Sequence, residues 1–255
     1  MALIEKLTAI ADAIRGKTGK TDGLTLEQMP GEIEGIQTGG DTSIEDALVK
    51  RTLTSYSNDR ITEVGASAFS GCTSLTDVSF PNVTTVGASA FSGCTSLTDV
   101  SFPELITISG GMFEYRGIES VTDASFPKVT GIMGNYSFKQ CPSLKYWQHS
   151  MKFIYQSRTF FGCGNLEKVD IHATGLTYHA FSGCLLNALI LRRADAICEL
   201  GSTNAIDNSA IVNGTGYVYV PSALLEEYKA ATNWSNYAEQ FRAIEDYPDI
   251  CEVGV

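Results

Sequence analysis

Apolar residues return along this chain at a fixed long period. VGASAFSGCTSLTDVSFP at 64–81 recurs letter for letter at 86–103, a displacement of 22. Inside each copy Leu75, Val78 and Phe80, then Leu97, Val100 and Phe102, alternate with polar residues. That period of two belongs to a strand with one face in a core. Pro81 and Pro103 follow, and a residue without an amide donor ends the ladder there. The pattern predicts one parallel strand per repeat, neighbours about 4.8 Å apart, with the rest of each repeat forming the return crossover.

Weaker copies surround Phe69, Phe91, Phe113, Phe138, Phe160 and Phe181, spaced 22, 22, 25, 22 and 21 residues apart. Six stacked turns are expected. Cys72, Cys94, Cys141, Cys163 and Cys184 each stand three residues after a Phe, and Arg116 takes that place after Phe113. A buried thiol packs as a small hydrophobe, so a cysteine ladder is expected beside a phenylalanine ladder. In the third repeat Val121, Ala124, Phe126 and Pro127 fit the strand pattern. The outward positions then run Asp77/Ser79, Asp99/Ser101, Asp123/Ser125, Tyr146/Gln148, Lys168/Asp170, Ala188/Ile190 and Tyr217/Tyr219. Their polarity shifts from acidic to aromatic and amide, a mixture that suits sugars and protein edges.

At the ends the rhythm changes to three and four. Leu3, Ile4, Leu7, Ile10 and Ile14 share one face of an amphipathic helix over 3–16, a candidate attachment or oligomerisation face. A second short element breaks at Pro30-Gly31, and Thr38-Gly39-Gly40 reads as a linker. Near the other terminus Tyr217–Val220 reads as a last strand, Ser222 as the N-cap of a helix to about Ala231, and Trp234 as the start of another short helical run, with Tyr228, Trp234, Tyr237 and Phe241 among the apolar residues that close the final rung. The organisation expected is residues 1–40 as a helical module, 41–220 as repeats and 221–255 as a helical cap.

Composition narrows the partners. Of 255 residues 44% are hydrophobic and 18% charged, and Lys+Arg minus Asp+Glu is 18 − 29 = −11. A chain so acidic, with no basic cluster, is unsuited to nucleic acid or an anionic membrane surface. No stretch of 18 apolar residues offers a membrane span. Glu5, Lys6, Asp12 and Arg15 interrupt the opening apolar residues, so folding in a cytoplasm is expected. Seven cysteines, an odd count, suit reduced thiols.

The candidate chemistry is thin. His149, His172 and His179 lie within repeats, with His149 at the inward position of Phe80, and no metal-ligand spacing surrounds them. Cys184 beside His179 has the wrong setting for a nucleophile, since its repeat position is inward. Gly110-Gly111 and Gly214-Thr215-Gly216 read as turns rather than phosphate loops. No catalytic residue, metal site or cofactor is expected. The Asp77, Asp99 and Asp123 ladder gives the one weak hint of paired carboxylates for glycoside cleavage.

The L-x-x-V-x-F-P strand, the V-G-x-x-A-F-x-x-C turn and the 22-residue period resemble BspA-type leucine-rich repeats over about residues 52–220. The resemblance implies an α/β repeat fold: a leucine-rich-repeat solenoid of stacked parallel strands, a short helical N-terminal module and a helical C-terminal cap. It implies adhesion rather than catalysis. LTAIADAIRGKTGKTDGLTLEQMPGEIEGI, DALVKRTLTSYSNDRITEVGASAF and LILRRADAICELGSTNAI are similar to segments of phage and prophage tail proteins of Gram-positive hosts. That implies a tail-fibre or receptor-binding component of the virion tail, made in the host cytoplasm. Its partners would be a bacterial surface receptor, carbohydrate or protein, other tail or baseplate proteins, and copies of itself, as a trimer. The alternatives are a BspA-type adhesin or interaction module at a bacterial surface and, third, a polysaccharide-degrading tail enzyme.

Overall fold

The period of 22 reappears in the backbone as strand register. The computed structural model describes residues 52–114, 120–121, 127–129, 131–150 and 153–251. Most repeats supply two short strands and that of β5 supplies one; in chain order the strands are β1 (Ser55–Ser57), β2 (Glu63–Val64), β3 (Asp77–Ser79), β4 (Thr85–Val86), β5 (Asp99–Ser101), β6 (Ser120–Val121) and β7 (Gly131–Met133). They continue with β8 (Tyr146–His149), β9 (Phe153–Tyr155), β10 (Lys168–Ile171), β11 (Gly175–Leu176), β12 (Ala188–Leu191), β13 (Glu199–Leu200), β14 (Tyr217–Val220) and β15 (Phe241–Ala243). One ladder runs β1-β3-β5 and then β6-β8-β10-β12-β14-β15. All of its pairings are parallel, with Asp77 beside Asp99 and Lys168 beside Tyr146 and Ala188. This is the strand ladder that the alternating pattern predicts.

A second parallel ladder, β2-β4 and β7-β9-β11-β13, was not anticipated. Its strands span only two or three residues, too few for an alternation to show. Between the two lies the turn that carries the core Phe. There the amides of Phe69, Phe91, Phe113, Phe138, Phe160 and Phe181 donate to Ala90, Met112, Ser137, Thr159, Ala180 and Ala205 at 2.7–3.1 Å. This column stays continuous past the break between β5 and β6. Gly93 has a φ of +71°, a left-handed conformation that glycine adopts without cost. A Cβ on Gly87 would collide with the Ala66 backbone nitrogen, so that glycine lets successive turns approach.

Both inward ladders form. Phe69, Phe91, Phe113, Phe138, Phe160 and Phe181 stack with centroids 5.0–5.9 Å apart and ring planes within 22° of parallel. Each such contact adds about 1 kcal/mol beyond area burial. The Sγ of Cys94, Cys141, Cys163 and Cys184 donates to the carbonyl of Phe69, Phe113, Phe138 and Phe160 in the preceding turn, at 2.9–3.1 Å. The thiol therefore does more than fill space: it adds a turn-to-turn hydrogen bond to a buried carbonyl, which Val or Ala could not make. His149 is buried at the Phe80 position, as the pattern requires, stacked on Trp147.

Several expectations change. In the third repeat β6 is Ser120–Val121, paired with Tyr146 and Trp147, so Ser120 and Val121 take the rung positions expected of Asp123 and Ala124. That repeat is longer, 25 residues between Phe113 and Phe138, and the extra length lets the strand slip without disturbing the turns. Asp123 and Ser125 themselves lie outside the described residues, as do the N-terminal module with Leu3, Ile4, Leu7, Ile10 and Ile14 and the linker after it.

Beyond β14 a 3-10 turn, Ser222–Leu224, leads into α1 (Leu225–Ala230). Ser222 does not cap it with its side chain; its amide donates to the Glu245 carboxylate at 3.0 Å. Trp234–Gln240 is 3-10, and Phe241 opens β15, pairing with Val218 of β14. Tyr228, Trp234 and Phe241 pack edge-on and tilted at 5.5–6.1 Å, all buried. The Cys198 peptide is held between them, its amide donating to the Tyr228 hydroxyl and its carbonyl accepting from Trp234 Nε1, both at 2.7 Å. A last short helix, α2 (Pro248–Cys251), ends the described chain.

Candidate binding surfaces

The outward face of the strand ladder differs between its two ends. On β1, β3 and β5 it is small, polar and open: Ser57, Asp77, Ser79 and Ser101 are exposed, and Asp99 occupies the rung beside Asp77. Alternation turns Tyr56, Val78 and Val100 inward and leaves these residues on the other side. Thr76 Oγ1 donates to the Thr54 carbonyl at 2.8 Å, one of the threonines that edge this face. Successive repeats thus offer the same hydroxyl group, at Ser57, Ser79 and Ser101, at strand spacing.

From β10 onward the same face is covered. Ala188, Ile190, Tyr219 and Cys251 form a second core cluster, with Tyr217 and Ile244 packed against it. Tyr247 meets the Tyr219 ring edge-on at 5.5 Å. Asp170, expected to face solvent, is 1% exposed: Arg192 grips both its oxygens at 2.6 and 2.7 Å and also donates to the Cys251 carbonyl. The Asp170 carboxylate holds the Arg192 guanidinium above its ordinary range. Burial pushes the Cys251 thiol up, and Arg192 offsets part of that. Burial likewise raises the Tyr219 phenol.

The solvent-facing roles expected for Asp170 and Tyr219 are therefore corrected. The physical reason was visible in Ala188 and Ile190, apolar residues at outward positions, which require a cover. That cover is the segment around α2, including Ile244, Tyr247 and Cys251. Tyr217 is half-buried, with the Arg242 guanidinium 4.3 Å from its ring centre. Tyr146, Gln148 and Lys168 stay half-exposed, Lys168 lying over the Tyr146 ring at 5.6 Å.

A second surface, which the strand pattern did not reveal, lies on the turn edge. Two residues before each core Phe stand Ser67, Ser89, Gly111, Tyr136, Arg158 and His179, all left-handed, with φ between 56° and 63°. In the first three repeats the column is small. In the last three it carries an aromatic and basic group: Lys139 and Arg158 lie 5.4 and 5.7 Å from the Tyr136 ring centre, and Arg158 lies 5.3 Å from that of Tyr178. Tyr178 packs against His179 at 3.8 Å and is 45% exposed. Counting the repeat period from Phe to Phe would have found this column.

All seven cysteines are buried free thiols. Burial pushes Cys163 and Cys198 well up, so neither is poised as a thiolate. Among the described residues no three His, Cys, Asp or Glu side chains converge to hold a metal ion. No helix of the described residues is long and apolar enough to cross a membrane.

No curated protein matches the chain. Among solved structures it is similar to a leucine-rich repeat protein of T. pallidum, at 23% identity and TM-score 0.42, over 68% of this chain and 81% of that one. It is similar to the pneumococcal vaccine antigen PcpA at 14% identity and TM-score 0.40, covering 74% of this chain and 40% of that antigen. A leucine-rich repeat protein from Bacteroides ovatus matches at 16% identity and TM-score 0.36, over 67% and 60% of the two chains. The family model described as the BspA type leucine rich repeat region matches in six copies across residues 57–189, just over half of the sequence. With its turn, strand and cysteine positions recurring in step with that match, the chain belongs to the BspA-type leucine-rich repeat family.

Proposed function

We propose that this chain is a non-enzymatic recognition module that engages a receptor on a bacterial surface through the open strand face of β1, β3 and β5. The observation that carries this reading is the contrast along one ladder. The face is left bare and polar where it repeats without change, at Asp77, Ser79 and Ser101, and is sealed where it becomes apolar. A rigid array of identical groups suits a receptor that itself repeats, carbohydrate or protein. In this reading the repeats stack as a solenoid and residues 221–251 close its last turn. No cofactor enters.

Two settings suit such a module: an adhesin of the bacterial surface, and the tip or fibre of a phage tail. The buried free thiols favour the tail setting, since a tail protein assembles in the reducing host cytoplasm and needs no disulfides. There residues 1–40 would attach to other tail proteins and to copies of the chain, as a trimer.

The test is binding of the labelled full chain to bacterial cells, beside the Asp77→Lys variant. Saturable binding that the variant loses about tenfold supports the strand face, since one reversed charge at a contact is worth that order of affinity. Equal binding by both proteins overturns it. Competition of phage adsorption by the same protein separates the tail setting from the adhesin.

A further inference from the structure

The turn edge of the fourth to sixth repeats is furnished in a way the fold does not require. Its backbone is left-handed at Tyr136, Arg158 and His179, a conformation that large side chains adopt at a cost and that the first three repeats fill with Ser67, Ser89 and Gly111. Three basic groups gather here, and two are matched by carboxylates. Lys139 Nζ meets Glu114 at 2.7 Å, and His179 Nδ1 lies 3.5 Å from Asp207.

Arg158 is different. Its Nη1 donates to the Tyr136 hydroxyl at 3.1 Å, and the guanidinium carbon lies 5.7 Å from the Tyr136 ring centre and 5.3 Å from that of Tyr178. No carboxylate among the described residues pairs with it, in a chain of net charge −11. Most of the donor fork is therefore unused, and the rings hold it in place. Beside it stands the half-exposed Tyr178 ring.

The geometry points to a binding site for a carboxylated sugar, with Arg158 taking the carboxylate on its planar fork and Tyr178 receiving the C–H face of the sugar ring. The fork matches a carboxylate in two parallel hydrogen bonds. A ring with one apolar face and a polar tip suits a pyranose that is apolar on one face and hydroxylated around its rim. Net attraction comes from Arg158, because Lys139 and His179 already face acids. The site lies on the turns and is independent of the strand face, so each reading can fail alone.

The test is titration calorimetry of the full chain with galacturonate oligosaccharides, against neutral dextran and polyglutamate. Arg158→Ser is a safe variant, since Ser67 and Ser89 hold the same backbone conformation. The site predicts galacturonate binding, none to dextran, a loss of about tenfold in Arg158→Ser and a similar loss in Tyr178→Ala. Unchanged affinity in Arg158→Ser, with the melting temperature preserved, overturns the site. So does tighter binding of polyglutamate that ignores Tyr178→Ala, which would make this a surface for acidic peptides.

Discussion

Ser79 and Ile190 hold the same place in their respective repeats and meet opposite surroundings. Each is the outward residue that follows the central inward one, Val78 and Leu189, on the strand ladder. Ser79 faces solvent; Ile190 is fully buried beneath the segment around α2. The turn edge inverts this order, bare at Ser67 and Ser89 and furnished at Tyr136, Arg158 and His179. A repeat fixes where side chains point. What meets them is set by chain that lies outside the repeat.

The comparison is broken most directly by shortening the two outward side chains. Ile190→Ala should lower stability by about 3 kcal/mol, through lost burial and a cavity against Tyr219 and Cys251. Ser79→Ala should stay within about 0.5 kcal/mol. Urea denaturation of both variants reads the difference, and equal costs would mean that the cover over β12 contributes no stability.

One step smaller is the pair of carboxylates. Asp170→Ala strips Arg192 of its bidentate partner under cover and should cost about 2 kcal/mol. That is below the loss for a fully enclosed pair, because the Arg192 side chain keeps 26% of its exposure and can reach water. Asp77→Ala, on the open end, should be neutral by the same urea measurement.

The gentlest probe is alkali. Burial raises the thiols of Cys163, Cys198 and Cys251 and the phenols of Tyr219, Tyr228 and Tyr237. At the other end it raises that of Tyr56. A group raised on folding keeps its proton in the folded state while the unfolded chain gives it up. Its contribution is whole below the unfolded value and is lost as pH climbs past it. Stability should therefore fall above pH 9.0, the ordinary thiol value, and more steeply above 10.0 as the tyrosines join. Urea denaturation on either side of these values reads the fall. Stability unchanged on crossing them would show that these groups ionise without opening the fold.

Much of this could be read from the letters. The strands at Asp77, Asp99 and Tyr217, the phenylalanine stack and the inward cysteines followed from alternation and period, since each depends on residues within its own repeat. Other features could not. The two-residue strands Glu63–Val64 and Thr85–Val86 are too short to announce a period. β6 moved because the third repeat carries spare length, and β15 left no sign because its ladder partner, Val218, lies more than twenty residues away in the chain. Asp170 and Tyr219 looked like surface by rung position. Only the apolar Ala188 and Ile190 beside them hinted at a cover, without saying which segment supplies it.

The sequence by itself determined the lattice: the strand in each repeat, its inward residues, and the Phe and Cys that stack from turn to turn. These are short-range consequences of pleat and period, repeated until they reinforce one another. The tertiary structure alone decided which parts of that lattice remain open. Covering β10 to β14 depends on a segment that leaves the repeat rhythm, crosses the ladder and docks through Arg192, Tyr247 and Cys251. Such non-local packing leaves no periodic trace, because it is chosen by complementary surfaces rather than by neighbours in the chain.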